Sequence, residues 1–445
     1  MEYTDRKIGI YTLGCKVNQY ESEAIAEAFA GEGFSVVSPT EVCDVYVINT
    51  CTVTAESDRK ARQFIRRAIG KNPNAYILVT GCYSQASPDA VAAIKGVDYV
   101  SGNAQKLAVV KAAKELIAGG KKPDVPTVDR RAPDAHGFEK MSITRFDRTR
   151  AYVKIEDGCE NRCTYCIIPS ARGAVRSKPM EEVLREVRAL TEGGCREIVL
   201  TGIETASYGR DLDEVDLADL LEEVDRIPNV GRIRLGSLDP SLMKQSFVDR
   251  IAHLRSLAPH FHLSMQSGSD RILALMKRKY NAKMALEGME RLRRAMPDVQ
   301  FTTDMIVGFP TETEEDFEAS VRFAEQAGFL MIHVFPYSRR AGTPAAVMKG
   351  HIPEEIKHER VRALSQRAAE IRGSILENAI GRTEEVLFET FADGTAKGHT
   401  KSFLEVVCPA EGLCRAASLP VRIESTDGSL CYGRILPEAE REERR

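Results

Sequence analysis

Over its first 118 residues the chain alternates short apolar runs with stretches in which apolar residues recur every three or four positions. Residues 7–13, 44–49 and 75–80 read as strands, 19–31 and 57–69 as helices, and helical periodicity returns from Asp89 and again from Gln105. Strand and helix in this rhythm predict βαβ units and an open parallel sheet. Then Gly119-Gly120-Lys121-Lys122-Pro123 opens a polar stretch with Pro126 and Pro133, and residues 119–149 read as a linker.

The rhythm resumes at residue 150. Strands are expected at 151–155, 197–200, 232–235, 261–265, 300–307 and 330–335, with helices such as 179–192, 217–227, 269–276 and 312–326 between them. Six βα units predict a partial βα barrel over 150–373, with chemistry at the C-terminal ends of its strands. A long charged helix over 353–375 leads out of it. The last segment, 374–437, changes to short β-type runs at 383–390, 401–407, 421–424 and 430–436, with Asp427-Gly428 as a hairpin turn. It reads as a small β-barrel of the oligonucleotide-binding kind. Residues 438–445 form a charged tail. The expected class is thus α/β: an N-terminal open parallel sheet over 1–118, a partial barrel, and a β module.

Of the 445 residues 43% are hydrophobic and 29% charged, which excludes a disordered or fibrous chain. No apolar run approaches the roughly 18 residues of a membrane span, so no membrane partner is expected. The first residues carry early acids and no apolar core of a secretory signal. A cytoplasmic location is the expectation. The net charge of −3 neither requires nor excludes a polyanionic partner. Eleven cysteines change the picture more. An odd count in a long chain of this kind argues against a disulfide framework and for metal ligation or thiol chemistry.

Cys159, Cys163 and Cys166 form C-x3-C-x2-C directly after the first barrel strand. Three thiolates within eight residues can hold three irons of a [4Fe–4S] cluster and leave the fourth open to another ligand. A structural zinc site wants four ligands, and between His136 and Cys195 the chain has no other Cys or His. The ferredoxin run C-x2-C-x2-C-x3-C-P is absent as well.

Cys15, Cys51 and Cys82 are 36 and 31 residues apart, the length of a βαβ unit, and each follows directly on an expected strand. Successive parallel strands end on the same edge of a sheet. Three cysteines at three such ends converge where open α/β sheets bind ligands, predicting a second, auxiliary iron–sulfur cluster. Separate burial of three thiols would not place them alike three times. Cys43 precedes its strand, belongs to the opposite edge and is excluded.

The central motif resembles the signature of the radical S-adenosylmethionine (SAM) superfamily. That resemblance implies that SAM chelates the open iron and is cleaved to a 5′-deoxyadenosyl radical, which abstracts hydrogen from an unactivated C–H bond. With both triads the chain resembles the radical SAM methylthiotransferases over nearly its whole length. The matching stretches are Leu13-Gly14-Cys15-Lys16-Val17-Asn18-Gln19-Tyr20-Glu21, Asn49-Thr50-Cys51-Thr52-Val53, Thr80-Gly81-Cys82, Cys163-Thr164-Tyr165-Cys166-Ile167-Ile168-Pro169 with Arg172-Gly173, Gln266-Ser267-Gly268-Ser269, and Asp304-Met305-Ile306-Val307-Gly308-Phe309-Pro310. The family implies two [4Fe–4S] clusters, the auxiliary one on Cys15, Cys51 and Cys82. It also implies SAM as both radical source and methyl donor, a reductant such as flavodoxin or ferredoxin, and an RNA-binding TRAM-like end module.

The segment after Cys15 is similar to the branch acting on N6-threonylcarbamoyladenosine at position 37, in the anticodon loop of tRNA. The isopentenyladenosine branch usually shows Gln-Met-Asn there, and the ribosomal-protein branch Pro-Lys-Asn. A different class, a two-cluster electron-transfer protein, would not cleave SAM. Among weaker features, Arg172, Arg176 and Lys178 read either as phosphate contacts or as a solvated basic loop. Lys277-Arg278-Lys279 has the same two readings. Thr201-Gly202-Ile203-Glu204 follows the second barrel strand, a good place for SAM contacts, while His260 and His262 read as structural. The segment 374–436 carries six Lys and Arg against nine Asp and Glu, so its electrostatics argue against a dominant hold on tRNA. Cys195, Cys408, Cys414 and Cys431 have no converging partners in the pattern.

Overall fold

The computed structural model describes residues 3, 5–134, 137–146, 148–411 and 413–437; the expected charged tail, 438–445, lies outside them. Six strands form the N-terminal sheet: β1 (Lys7–Thr12), β2 (Ser35–Val37), β3 (Val45–Thr50), β4 (Tyr76–Gly81), β5 (Tyr99–Val100) and β6 (Thr127–Val128). They are parallel and run in the order β2-β1-β3-β4-β5-β6. The strand β3 is apolar along its length because both faces are covered. Val45 and Val47 pack in one core with Ile25 and Phe29 of helix Lys16–Gly31, and Tyr46 and Ile48 in another with Ala61 and Ile65 of helix Ala55–Lys71. The edge strand β6 lies within the stretch read from sequence as linker. Pairing with β5 is what orders it.

The central domain begins at β7 (Arg150–Lys154), followed by a short antiparallel pair, β8 (Glu156–Asp157) and β9 (Arg176–Ser177). Then come β10 (Glu197–Thr201), β11 (Arg232–Leu235), β12 (Ser237–Leu238), β13 (His260–Gln266), β14 (Gln300–Val307) and β15 (Met331–Pro336). They form two parallel sheets, β11-β10-β7 and β12-β13-β14-β15. Only Gly236 separates β11 from β12, so this is one strand shared between the sheets. Six βα units in a partial barrel result, as expected. Val183, Val187 and Leu190 of helix Met180–Glu192 pack with Ile198 and Leu200 in the outer core.

Helix Glu354–Glu377 ties this domain to the next, placing Leu364 and Ala368 in the barrel's core and Leu376 in that of the C-terminal module. There β16 (Thr383–Ala392), β17 (Thr395–Thr400), β18 (Glu405–Pro409), β19 (Ser418–Thr426) and β20 (Cys431–Ile435) close into a barrel. The strand expected at 401–407 is corrected: it begins only at Glu405, and β17 precedes it. Residues 401–404 turn instead. The Thr400 hydroxyl accepts from Leu404 N at 3.0 Å, and Phe403 takes φ +76°, with its ring stacked on both His399 of β17 and His260 of β13. The Asp427-Gly428 turn is present, its Asp427 carboxylate accepting from the backbone N–H groups of Ser429 and Leu430. Among the described residues no helix is long and apolar enough to cross a membrane.

Candidate active site: two cysteine triads at the domain junction

Cys51 and Cys82 stand immediately after β3 and β4, and Cys15 follows β1 after Leu13 and Gly14; the three strands are neighbours whose ends share one edge. Asn18, buried one helical turn on, staples two of those ends, donating to Leu13 O at 2.7 Å and Thr50 O at 2.9 Å. Gly14 is needed for the approach: its φ is +99°, and a Cβ there would meet the Cys51 Sγ at 2.8 Å. The three thiols are electrostatic neighbours, and all three are free. The thiol of Cys82 receives two donors, Arg172 Nε at 3.3 Å and Asn103 Nδ2 at 3.5 Å.

The second triad lies on the loop between β8 and helix Ile168–Arg172. Cys163 is buried and Cys159 and Cys166 half-buried, all three as free thiols. Backbone bonds fold the loop back on itself, from Cys159 N to Gly173 O at 3.0 Å and from Cys166 N to Cys163 O at 3.1 Å. Gly158, with φ +94°, allows this turn, since a Cβ there would stand 1.9 Å from Ala174 O. Arg278 donates to Cys163 Sγ at 3.2 Å while it pairs with Asp239 at 3.0 Å. Burial pushes the Cys159 thiol up to about 12 and those of Cys166 and Cys51 up to about 11. Such thiols give up a proton readily only to a metal. Among the described residues no three Cys, His, Asp or Glu side chains stand close enough to grip one metal ion. A cluster asks for something wider, since each thiolate binds a different iron. Two groups of three free thiols, each with an arginine donor on one sulfur, suit that donor chemistry.

The basic residues after the second triad are corrected. Arg172, Arg176 and Lys178 are neither phosphate contacts nor solvated: all three are buried. Arg172 pairs with Glu21 at 2.5 Å and Asp157 at 3.2 Å, and Arg176 with Asp157 at 3.4 Å. Lys178 pairs with Glu186. Glu21 also holds Lys154 at 2.8 Å and Lys106 at 3.0 Å, so one carboxylate from the first helix gathers cations from both domains. Burial pushes the Glu21 carboxyl up, but Arg172, Lys106 and Lys154 outweigh it and hold it well below the glutamate range. The Lys277–Lys279 run divides: Arg278 faces Cys163, and Lys279 lines a cavity of about 330 Å³.

That cavity brings Asn161 of the cysteine loop to Glu204, whose carboxylate accepts from Asn161 Nδ2 at 2.9 Å. Burial, with Asp239 nearby, pushes Glu204 up to about 7. A second cavity, about 380 Å³, is the barrel lumen. Cys15 opens onto it, together with Lys16, Arg150, Arg234, His260 and Phe403. His260 and His262 share Thr302 Oγ1 at 3.0 and 2.9 Å, and the Phe403 ring stacks on His260 with centroids 4.3 Å apart. Cys43, Cys195, Cys408 and Cys431 are buried apart from both triads, and Cys414 is exposed. Sequence reasoning missed Glu21, Asp157, Arg278, Lys106 and Phe403 as parts of the junction. For Glu21 a signal existed, since an acid two turns into the first helix falls on its buried face.

A partial βα barrel with C-x3-C-x2-C on the loop after its first strand defines a radical SAM enzyme. Residues 153–324 match the Radical SAM superfamily, and residues 7–102 match the Uncharacterized protein family UPF0004. The chain is 41% identical over 413 residues to the threonylcarbamoyladenosine tRNA methylthiotransferase MtaB of Bacillus subtilis, covering 90% of each. It is 38% identical to the Thermotoga maritima protein of that name, covering 90% of this chain and 91% of that one. To the tRNA-2-methylthio-N(6)-dimethylallyladenosine synthase of Acetivibrio thermocellus it is 35% identical over 88% of this chain and 82% of that one. Among solved structures it is similar to the radical SAM methyltransferase TsrM of Kitasatospora setae, with TM-score 0.58, 16% identity, and 89% and 81% of the two chains covered. That likeness shows the fold. The chain belongs to the methylthiotransferase family of radical SAM enzymes.

Proposed function

We propose that this enzyme adds a methylthio group to C2 of N6-threonylcarbamoyladenosine at position 37 of tRNA. The observation that carries this reading is that the two triads meet at one junction: Arg172, on the helix that follows the Cys159–Cys166 loop, donates to Cys82 of the other triad at 3.3 Å, and Cys15 opens onto the barrel lumen. Two relatives named for threonylcarbamoyladenosine, at 41% and 38% identity, support the choice of base over the dimethylallyl relative at 35%.

On this reading Cys159, Cys163 and Cys166 hold the [4Fe–4S] cluster that binds SAM, and Cys15, Cys51 and Cys82 hold an auxiliary [4Fe–4S] cluster. Bound there, the clusters supply an electron to SAM, the radical source and methyl donor, and sulfur for insertion, chemistry that side chains lack. The residues around them do the rest. Arg172 donates to the sulfur of Cys82 and Arg278 to that of Cys163, so each triad has one sulfur held against a guanidinium. Asn161 and Glu204 border the cavity beside the cysteine loop and orient polar groups entering there. The lumen walls shut bulk water away from the base and fix its position. Residues 1–118 with the added strand β6, 150–373 and 374–437 act as three domains, the rest of 119–149 joining the first two. The C-terminal barrel, which is not basic, steadies the tRNA more than it grips it. A reductant such as flavodoxin or ferredoxin and a cytoplasmic setting complete the reading.

Mass spectrometry of nucleosides from tRNA incubated with reconstituted enzyme, SAM and reductant tests it. The expected product is the 2-methylthio form of threonylcarbamoyladenosine, absent when the tRNA lacks the threonylcarbamoyl group. Efficient conversion of isopentenyladenosine tRNA instead would refute the choice of base and leave the reaction class standing.

A further inference from the structure

Most charges around the lumen are already neutralised by neighbours. Arg234 pairs with Glu197 at 2.8 Å and Arg150 with Glu389 at 3.0 Å. Lys16 differs. Among the described residues its ammonium has no hydrogen-bond or ion-pair partner, although it lines the cavity and feels Arg150, Arg234, Glu197 and Asp304. It is the residue next to Cys15, which opens onto the same space. The far side is closed by Phe403, whose ring lies 4.8 Å from the Arg234 guanidinium and 5.6 Å from that of Arg150. An unpaired cation open to the lumen beside two further cations leaves a positive field there that a ligand anion would satisfy.

We propose that Lys16, backed by Arg150 and Arg234, forms a carboxylate subsite in the lumen and selects a nucleoside whose N6 substituent ends in an acid. The inference rests on the proposed substrate, whose threonyl group carries such a carboxylate. In adenine C2 and C6 both flank N1, so the N6 arm leaves the ring on the same edge as C2. A base presenting C2 toward Cys15 therefore starts its N6 arm beside Lys16, the next residue, in the space that Arg150 and Arg234 also line. An uncharged alkyl arm would take water from the ammonium and return nothing. A charge-assisted contact of this kind corresponds to discrimination of about 10–100-fold.

The test compares tRNA carrying threonylcarbamoyladenosine with the same tRNA after its carboxyl group is capped as a methylamide. Both are assayed with the fully reconstituted enzyme, and iron is measured for every variant. Wild type is expected to favour the free acid by about 10–100-fold in kcat/KM. Lys16→Gln should bring that ratio to about one, and Lys16→Arg should retain it. An undiminished ratio in Lys16→Gln overturns the inference, and so does an equal fall for acid and amide, which would mark Lys16 as a general tRNA contact. If Lys16→Gln loses its iron, competition against wild type by the two anticodon stem-loops decides: tighter binding of the acid is expected, and equal binding overturns the inference. Wild type that converts isopentenyladenosine tRNA but not the threonylcarbamoyl form refutes the substrate reading itself, and the inference falls with it.

Discussion

The two cysteine triads make similar sites by different means. One is written in eight consecutive residues and needs a single loop; the other is collected from three strand ends and needs a whole sheet. Each places an arginine on one sulfur, Arg278 on Cys163 at 3.2 Å and Arg172 on Cys82 at 3.3 Å. Both arginines come from the central domain. The local triad thus receives its cation from its own domain, whereas the assembled triad receives it across the interface, through a residue held by Glu21 and Asp157. The N-terminal site is complete only when the two domains are docked.

The largest way to break this comparison is at the local triad. Cys163→Ala should abolish both 5′-deoxyadenosine formation and methylthiolation, because a cluster short of one of three thiolates is poorly held. Wild type should reconstitute with roughly eight irons per chain, and the variant lacking Cys159, Cys163 and Cys166 with about half that number. A wild-type content of about four would contradict the presence of two clusters.

Next is the carboxylate that joins the domains. Glu21→Gln leaves Arg172, Lys106 and Lys154 buried around a neutral amide and should destabilise the protein by about 3–5 kcal/mol in denaturant unfolding. The sign with pH follows from its depressed folded pKa. Its contribution is full above the ordinary glutamate value of 4.5 and is lost as pH falls below it toward the folded value. The stability gap between wild type and variant should therefore narrow in acid.

A smaller effect separates the two arginines. Arg172→Gln should weaken retention of the N-terminal cluster, and Arg278→Gln that of the central one, each by about 10–100-fold under chelator challenge. Loss of both clusters from either variant would deny that the arginines act separately. Smallest is Phe403→Ala, which removes a half-buried ring stacked on His260 and His399 and should cost about 1–3 kcal/mol, chiefly in docking of the C-terminal barrel.

The same contrast governs what could be read from the sequence. Strand and helix periodicity is local, so the βαβ rhythm, the six barrel strands and the long helix were legible to within a few residues. The placement of the cysteines was legible too, one triad on a single loop and the other at three neighbouring strand ends. Pairing across domains was not. Arg172, Arg176 and Lys178 look like a basic loop until Glu21, Asp157 and Glu186 are seen to face them. The turn at 401–404 was read as strand because Phe403, Leu404, Val406 and Val407 are apolar, yet the Phe403 ring is shared between its own module, at His399, and the central domain, at His260.

The most direct test of two triads with separate roles is the variant Cys15→Ala/Cys51→Ala/Cys82→Ala, reconstituted anaerobically and supplied with SAM, reductant and tRNA. 5′-Deoxyadenosine and the methylthio nucleoside are measured in the same reaction. If the central triad generates the radical and the N-terminal triad serves sulfur transfer, 5′-deoxyadenosine still forms and no methylthiolated tRNA appears. Methylthiolation at the wild-type rate would contradict it.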